Sequence, residues 1–309
     1  MKKYPLVSIV IPTHNRKKKL VRLIRSVLNS NYPRKKLEII VVDDASRDGT
    51  YEEIKKKFPH IKVIRNKKEM LVSKSRNVGI KNSKGKYIFL IDDDNVVDKN
   101  CILELVKVME TRTNSQIGIA GPITYYLKQP KRIWCAGVRR NMITSLTFKI
   151  GADKINKGQF NKLIYSDDFP NAFIIRKELI EKVGLFDEKN FPFHYEEADF
   201  GERVRKAGYR IVCNPKAKIW HDIPLPEEVE DKTRLFHVNT ERRAYYAGRN
   251  RIIFHKKYSK WWQFLLFILI FNWIVTIYYL KVIIFSHRSC KDKLRLFFNY
   301  LIGICEGLK

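Results

Sequence analysis

Three consecutive acidic residues, Asp92, Asp93 and Asp94, follow an apolar run, Tyr87 to Ile91, that has the pattern of a strand. Adjacent carboxylates repel one another, so their grouping at the end of a strand suggests that they share a cation. Because a strand alternates its side chains, we expect Asp92 and Asp94 on one face and Asp93 on the other. Two carboxylates on one face are the oxygen ligands that Mg²⁺ and Mn²⁺ prefer. A solvated acidic turn is the alternative interpretation.

Short β-branched runs alternate with helical patterns in the first half of the chain. The predicted strands are Val7 to Ile11, Leu37 to Val42, Ile61 to Ile64 and Tyr87 to Ile91, with helices over Leu20 to Leu28, Tyr51 to Phe58, Leu71 to Lys81 and Cys101 to Met109. This alternation predicts a mostly parallel, Rossmann-like α/β sheet with right-handed connections. Ligands bind such sheets at the carboxyl ends of the strands. Asp44 and the acidic triplet both lie at such ends.

The pattern is less regular after Pro122. Ile123 to Phe169 mixes short strands, aromatic residues and turns, and we expect this region to build the second half of a ligand pocket. Beyond it the sequence predicts a helix over Lys177 to Val183, a helix from about Tyr195 to Ala207, and two strands near Tyr209 to Cys213 and Ala217 to His221.

Composition limits the classes of protein to consider. The 309 residues are 45% apolar, enough for one large or two small domains, and 61 Lys and Arg against 32 Asp and Glu give a net charge of +29. Such a surface attracts polyanions: nucleic acid, nucleotides or an anionic membrane leaflet. The five cysteines are scattered, which excludes a predicted zinc site or disulfide framework. The apolar run near the N-terminus is too short for a signal peptide, so we expect the N-terminal domain in the cytoplasm.

The C-terminal part has membrane character. Residues 261–285 are almost wholly apolar, show no polar face and are long enough to cross a bilayer or to be embedded in it. We divide the end of the chain into a basic juxtamembrane segment (236–260), this helix (261–285) and a basic amphipathic tail (286–309). Anionic lipids would hold the basic residues at the cell membrane. Because both flanks are basic, a single crossing and a hairpin in one leaflet both remain open.

Five ordered motifs point to one family. They are Val7 to Arg16, Val41 to Thr50, Ser75 to Gly79, Leu90 to Asp94 and Tyr195 to Gly208. In order and spacing they resemble the family 2 glycosyltransferases with a GT-A fold, and a further run, Tyr246 to Arg251, resembles membrane-associated rhamnosyl and polysaccharide transferases. The resemblance implies a nucleotide-sugar-binding half over 1–122 and an acceptor-binding half over 123–235.

The resemblance also assigns a donor site. The nucleotide sugar would be bound by residues at the carboxyl ends of the strands and by one arginine of the third helix. These residues are Pro12, Thr13, His14, Asn15, Asp44, Arg76, Asp92 and Asp93. Asp44 would accept hydrogen bonds from the base. The alternative for Asp44 is a helix cap, and for Arg76 a solvated side chain.

A divalent metal, Mg²⁺ or Mn²⁺, is the implied cofactor. Asp94 is the expected direct ligand, with Asp92 near the metal or the ribose and Asp93 turned elsewhere. His221, at the end of a late strand, would complete the coordination, although a lone histidine can equally be a hydrogen-bonded core residue. A cation there would neutralise the charge that develops on the leaving diphosphate.

An inverting transfer also needs a general base. Family members carry an acidic pair at the start of a helix, commonly Glu-Asp, whose second acid is the base. Here the pair is Glu196 and Glu197, so Glu197 occupies the base position with one extra methylene, and Glu196 remains an alternative. Asp199 would support the helix start or contact the acceptor. An amphipathic surface helix with acids in its first turn is the structural alternative.

The sequence therefore predicts an inverting, metal-dependent glycosyltransferase of hexosyltransferase type at the cytoplasmic face of the membrane. It would transfer a sugar to a hydroxyl of a lipid-linked glycan or polysaccharide. A polyprenyl-phosphate sugar synthase of the same fold is the nearest alternative, since an ionised phosphate acceptor needs no base. A nucleic-acid-binding protein is a third, but the cations concentrate beside the apolar segment and no recognition helix is evident, so we expect no nucleic-acid partner.

Overall fold

The structure is a computed structural model and describes residues 4–111 and 116–309. Its strands are β1 (Val7–Thr13), β2 (Leu37–Asp43), β3 (Lys62–Arg65), β4 (Tyr87–Ile91), β5 (Asn95–Val97), β6 (Ile117–Tyr126), β7 (Ile133–Cys135), β8 (Val138–Arg140), β9 (Thr147–Lys149), β10 (Ile164–Tyr165), β11 (Ala172–Arg176) and β12 (Arg210–His221). Its helices are α1 (Lys17–Leu28), α2 (Thr50–Lys57), α3 (Leu71–Lys81), α4 (Cys101–Glu110), α5 (Lys177–Val183), α6 (Glu196–Lys206), α7 (Glu241–Tyr258), α8 (Trp261–Leu266), α9 (Asn272–Ile284) and α10 (Cys290–Leu308).

The main sheet has the strand order β10-β12-β6-β11-β4-β1-β2-β3, with β5 paired to β12 and β7 to β6. Strands β1 to β4 are mutually parallel where they pair, which confirms the predicted first half. Both faces of β1 are buried: Ile9 and Ile11 pack in one core cluster, and Val10 packs in the cluster on the other face. Side-chain alternation on a doubly covered strand accounts for this division.

The second half of the sheet mixes directions. β4 pairs antiparallel with β11, and β11 pairs antiparallel with β6. Because β6 runs through residue 122, both predicted halves of the domain share one sheet, and their division by ligand remains a prediction.

The two strands predicted near the end of this domain form one strand, β12, which pairs with β6 and has a register shift between Asn214 and Lys218. Pro215 lies inside the irregularity, where its missing N–H breaks no ladder bond. The end of β12 pairs with β5, so that His221 lies opposite Asn95. This pairing brings a late strand to the acidic triplet.

After the sheet and two short 3-10 turns (Pro226–Glu228 and Lys232–Arg234) come three long helical segments: α7, an apolar helix over Trp261–Ile284, and α10. The apolar helix comprises α8, a π-helical turn (Phe267–Phe271) and α9. Its length and composition would allow it to cross a membrane, as those of some soluble core helices would, but only 22% of its most apolar stretch is buried.

The polarity of the apolar helix differs from the prediction. Asn272 and Thr276 are buried and form a narrow polar stripe, so the expectation of no polar face is wrong. Both side chains accept hydrogen bonds from Arg251 of α7, each at 3.0 Å. Several basic residues of the predicted juxtamembrane segment therefore contact protein rather than headgroups: Arg251 is buried, and Lys257 pairs with Asp199.

The tail helix α10 folds back along α7. A Cβ built at Gly303 would lie 2.1 Å from the carbonyl oxygen of Tyr245, and one at Gly248 would lie 2.6 Å from that of Tyr300. Only glycine permits backbones to approach this closely. α7 is thus packed between the sheet domain, α10 and the apolar helix.

Candidate active site

The acidic triplet lies in a turn, because strand β4 ends at Ile91. The alternation expected for Asp92 to Asp94 therefore does not apply, and a shared role of Asp92 and Asp94 at a metal stays a prediction. Asp93 and Asp94 both contact Arg16, whereas Asp92 contacts Arg76. The amide of Asn95 fixes the turn by donating to the backbone oxygen of Asp92 at 2.9 Å.

Asp93 and Asp94 share one guanidinium. Nη1 of Arg16 lies 3.1 Å from Oδ1 of Asp93 and 2.7 Å from Oδ2 of Asp94. The hydroxyl of Thr13 donates to Asp93 at 2.6 Å, which ties the end of β1 to the triplet. Burial raises the pKa of Asp93 to about 7, although Arg16 opposes the shift. The cation expected at the triplet is here an arginine that precedes α1.

Asp94 has a second neighbour in His221. Nε2 of His221 lies 3.2 Å from Oδ1 of Asp94, and that oxygen is buried without a hydrogen bond among the described residues. Burial acts to raise the pKa of Asp94, but His221 and Arg16 hold it below its usual range. The carboxylate is therefore ionised and has an oxygen free to bind a cation.

The donor set fits a divalent ion that is shared with a ligand. Within residues 4–111 and 116–309, no three His, Cys, Asp or Glu side chains converge as a complete metal site. Asp94 and His221 supply two donors, and Mg²⁺ is commonly held by one or two protein groups together with substrate phosphates and water. Asp92, the other predicted ligand, is instead paired with Arg76.

Arg76 joins the triplet to the acidic helix. Its side chain is only 2% exposed, with Nη2 at 2.9 Å from Asp92 and Nη1 at 2.8 Å from Glu197 and 3.6 Å from Glu196. A guanidinium suits this position because its planar fork contacts several carboxylates at once. The predicted solvated alternative is wrong, since Arg76 is among the largest fully buried side chains of the described residues.

The acidic pair begins α6 after two residues in the left-handed backbone region, His194 (φ 62°) and Tyr195 (φ 67°). Burial raises the pKa of Glu196 well above its usual value, and the neighbouring Glu197 adds to the shift. The side chain of Glu197 is more accessible, at 18% against 8% for Glu196. The pair thus combines a buried carboxyl whose pKa is raised with a more accessible one held close to Arg76.

Helix α7 secures this strained turn. The amide of Asn250 donates to the backbone oxygens of Phe193 and His194 at 2.8 and 2.9 Å. Left-handed residues other than glycine cost free energy and persist only where surrounding contacts hold them. Asn250 therefore fixes the backbone that orients Glu196 and Glu197.

Asp199 is fully buried in the first turn of α6, with the acidic pair. Its carboxylate pairs with Arg203 at 2.9 Å and Lys257 at 2.7 Å, and accepts a hydrogen bond from Tyr258. These contacts join α6 to the end of α7, and they favour the supporting role for Asp199 over an acceptor contact.

Asp44 is bonded to the protein at both oxygens. One accepts from the N–H of Met70 and the amide of Asn66, and the other from the N–H of Leu71. Asp44 therefore caps the N-terminus of α3. Its contact with a nucleotide base remains a prediction.

A basic cleft opens beside Asp44. It has a volume of about 830 Å³, and its lining includes two of the predicted donor-site residues, His14 and Asn15. Four cations line it as well: Arg47, Arg65, Lys67 and Lys68. The triplet does not line this cleft, but it is adjacent to it, because Thr13 and Arg16 flank the two shared residues. Pro12 lies buried in β1, two residues before His14.

Some site residues escaped the sequence interpretation. Arg16 is the last residue of the first motif, three residues beyond the end of β1, and the parallel pairing of β1 with β4 was a signal that it could reach the triplet. Asn250 and Lys257 carried no such signal, since their partners lie 56 and 58 residues away in the chain.

The comparison with protein families identifies the chain. The model described as Glycosyl transferase family 2 matches residues 8–184, more than half of the chain. The chain belongs to glycosyl transferase family 2. This range of the family match includes the Arg16–triplet contacts and Arg76, but ends before the acidic pair.

Curated relatives agree with the family. A probable glycosyltransferase, YdaM, of Bacillus subtilis is 28% identical over 86% of this chain. The glycosyltransferase AglE of Haloferax volcanii is 24% identical over 67% of it. The chain spans 64% of each of these two proteins, and smaller shares of other relatives.

Solved structures share the fold of this family 2 chain. A mannosyltransferase from Pyrobaculum calidifontis, PcManGT, solved with GDP-Man and Mn²⁺, has a TM-score of 0.58 at 15% identity and covers 99% of this chain and 88% of its own. GalNAc-T7, solved with UDP, GalNAc and Mn²⁺, has a TM-score of 0.59 at 19% identity. The match covers 80% of this chain and 51% of the GalNAc-T7 chain. The predicted GT-A fold is thereby confirmed.

Replacing Arg76 with leucine should make stability depend strongly on pH. At about pH 8 the variant leaves buried carboxylates without their cation, a loss of roughly 3 to 5 kcal/mol. At about pH 5 the loss should be smaller, because Arg76 holds the pKa of Glu196 down against burial and that carboxyl would keep its proton without it. A carboxyl group whose pKa is higher in the folded than in the unfolded state stabilises the fold at low pH, and this contribution is lost as the pH rises. Urea denaturation at both pH values measures this.

The matched control for this experiment is Arg139→Leu. Arg139 is 52% exposed and makes an ion pair with Asp167 at 3.4 Å, so its loss should cost no more than about 1 kcal/mol at either pH. Equal destabilisation of Arg76→Leu at both pH values would contradict the buried-cluster interpretation.

Asn250→Ala should reduce catalytic turnover more than donor affinity. The substitution leaves two backbone oxygens unbonded and frees the left-handed turn before Glu196, at about 1 to 3 kcal/mol for each unsatisfied group. We expect kcat to fall about ten-fold or more, with the donor KM nearly unchanged. Asn299→Ala, which removes one exposed amide bond within α10, is the control. A fall in kcat no greater than the unfolded fraction, measured by thermal unfolding, would refute the positioning role.

Proposed function

We propose that this chain is an inverting, divalent-metal-dependent glycosyltransferase that moves a sugar from a nucleotide donor to a hydroxyl at the cytoplasmic face of a membrane. One observation carries the proposal: the buried guanidinium of Arg76 contacts Asp92 and Glu197 at 2.9 and 2.8 Å. A donor-side acid and an acid positioned to accept a proton are therefore held by the same side chain. Transfer to a hydroxyl requires these two groups side by side.

Glu197 is the proposed base. Of the two acids it is the more accessible, and it pairs with Arg76 at the shorter distance. Glu196 is 6% exposed and burial raises its pKa, so it is less suited to accept a proton from an incoming acceptor. Asp199 is proposed to support the helix and to take no part in proton transfer.

The proposed donor is a nucleoside diphosphate sugar. The basic cleft lined by His14 and Asn15 would take the nucleotide, and its arginines and lysines would attract the phosphates. Two structural relatives are described in complexes with GDP-Man and with UDP, both with Mn²⁺. Asp44, Arg76, Asp92 and Asp93 complete the proposed donor set of residues 1–122.

Asp94 and His221 are the proposed ligands of Mg²⁺ or Mn²⁺. Their donor atoms lie 3.2 Å apart, and the facing oxygen of Asp94 has no hydrogen bond within the described chain. A bound divalent ion supplies Lewis-acid neutralisation of the departing diphosphate. Asp92 is proposed to act beside the ligands, through Arg76.

The proposed acceptor is a lipid-linked glycan or polysaccharide, received by residues 123–235. TarS of Staphylococcus aureus, a poly(ribitol-phosphate) β-N-acetylglucosaminyltransferase, is 30% identical over 31% of this chain, and this match covers 17% of TarS. The apolar helix beside the site could keep the enzyme at a membrane where such acceptors are assembled. A polymer or lipid-linked hydroxyl therefore suits both features.

Glu197→Gln should abolish transfer while leaving nucleotide binding intact. Glutamine keeps the shape of the side chain but cannot accept a proton, and loss of a general base lowers the rate by roughly 10²- to 10⁴-fold. Transfer is measured with radiolabelled donor, and binding by thermal shift with the nucleoside diphosphate and Mn²⁺. Glu196→Gln is the matched control and should retain more activity.

Two outcomes would change this assignment. Full activity in Glu197→Gln with loss in Glu196→Gln would move the base to Glu196. Full activity in the double variant would favour a polyprenyl-phosphate acceptor, which is ionised and needs no base.

Chelation and Asp94→Ala should each reduce donor affinity and transfer. Removal of the metal leaves the diphosphate charge uncompensated, so transfer should fall by at least about 100-fold, equivalent to roughly 3 kcal/mol. EDTA treatment followed by Mn²⁺ should restore the parent enzyme but not the variant. Asp98→Ala, an exchange of an aspartate outside the triplet, is the control. Transfer that is indifferent to EDTA would refute the metal assignment while leaving the base assignment testable.

A further inference from the structure

The apolar helix, Trp261–Ile284, has its polarity reversed with respect to a soluble helix. Its polar residues Asn272 and Thr276 face the protein and bind Arg251. Its outward face carries exposed apolar side chains at Trp261, Leu265, Leu269, Trp273, Ile277 and Ile284, and Lys281 is an exposed charge near its end. The side chain of Leu269, for example, is 64% exposed. An apolar face of this length on a soluble protein marks an interaction surface.

The middle of the apolar helix contacts one turn of α7 and runs in the opposite direction to it. The rings of Phe267 and His255 stack with centroids 4.1 Å apart, while Thr276, farther along, bonds to Arg251, earlier in α7. Beyond these contacts, Tyr278 packs against Phe236, which precedes α7. The helix is thus held to the protein at its middle by α7 and farther along by Phe236 and by Tyr300 of α10, which stacks on Tyr279.

α7 in turn is fixed to the sheet domain. Asn250 bonds to the turn before α6, and Lys257 pairs with Asp199 of α6 itself. A vertical membrane crossing by the apolar helix would draw α7 into hydrocarbon. Charged residues at the centre of a membrane helix cost roughly 2.5 to 3.5 kcal/mol each, and α7 carries seven: Glu241, Arg242, Arg243, Arg249, Arg251, Lys256 and Lys257.

α10 widens the apolar face. Leu294, Phe298 and Ile302 are exposed at four-residue spacing on one side of α10, and the opposite side, with Leu296 and Tyr300, is buried. Lysines stand exposed at both ends of the apolar helix, Lys260 and Lys281. Apolar side chains bordered by lysines suit the boundary between acyl chains and anionic headgroups.

We propose that the apolar helix and α10 form one membrane-binding face that lies in the plane of a single anionic leaflet and does not cross it. The occupant of this face is a lipid bilayer. The inference rests on the membrane location proposed above, and of the two arrangements that the sequence left open it selects attachment within one leaflet over a single crossing. It also places α7, which secures the turn before Glu196, directly behind the bound leaflet.

Vesicle binding tests the face. The full-length protein should sediment with vesicles of phosphatidylglycerol and phosphatidylcholine, and less with phosphatidylcholine alone or at high salt. The double variant Leu269→Glu/Ile277→Glu should lose most of this binding, by at least about ten-fold, because both changes put charge at exposed apolar positions. Phe148→Glu, which changes a 58% exposed residue of β9, is the matched control and should bind as the parent does.

Depth measurements separate lying from crossing. The fluorescence of variants that keep only Trp261, at the start of the helix, or only Trp273, at its middle, reports the depth of each position. If the helix lies in the leaflet, both should be quenched to the same extent, and most strongly by lipids brominated near the headgroup. Cys290, exposed just beyond the helix, should react with a membrane-impermeant maleimide added on the side of the sheet domain. Deep quenching of Trp273 together with protection of Cys290 would establish a crossing and overturn the proposal.

A second copy of the chain is the other possible occupant of the face. Failure to bind either vesicle, with a dimer that the Leu269→Glu/Ile277→Glu variant dissociates, would also overturn the proposal. Neither readout requires a sugar donor, so these outcomes are separate from failure of the glycosyltransferase assignment. Loss of transfer in Glu197→Gln would leave vesicle binding unchanged.

Discussion

The site depends on one buried charge, the guanidinium of Arg76. A buried arginine is tolerated only when carboxylates surround it, and the acids of two distant segments would repel one another without it. Its position follows from its neighbours in the motif of α3. Gly79 lets the helix lie against β1, since a Cβ there would meet Val10 at 2.2 Å. Asn77 exchanges hydrogen bonds with the backbone of Phe186, which fixes the turn that leads toward α6. One short motif thereby joins the donor-side turn to the acidic helix.

α7 connects the Arg76 cluster to the apolar helix. Its inner side bonds to the turn before Glu196 through Asn250 and to Asp199 through Lys257. Its outer side carries the apolar helix through Arg251. A basic helix can occupy this middle layer because most of its cations find partners in the protein: Arg242 pairs with Glu69, and Arg249 donates to the backbone oxygen of Asn190. The net charge of the sequence therefore overstates the charge available to headgroups.

Local patterns were sufficient to predict the parallel half of the fold. β4 and α3 have the predicted bounds because strand alternation and helical spacing are properties of consecutive residues. The same patterns could not predict that the triplet lies in a turn, because the Asn95 amide that donates to the backbone oxygen of Asp92 is held in turn by Asn171, 76 residues away. β12 was divided in two because Pro215 interrupts the pattern, although its pairing with β6 continues beyond it. Asn250 could not be found from sequence, because its role exists only once α7 packs on the turn before α6.

The two arginines of the site differ in a way that bears on catalysis. Arg76 is 2% exposed and surrounded by carboxylates, so its charge is part of the fold. Arg16 is 44% exposed and contacts an oxygen of Asp94, whose other oxygen faces His221. A divalent ion at Asp94 would compete with Arg16 for the same carboxylate, and an exposed side chain can leave at little cost. Arg16 would then be free to contact the diphosphate of the donor. Two acids of the triplet, Asp93 and Asp94, share this cation, and its exposure makes it exchangeable.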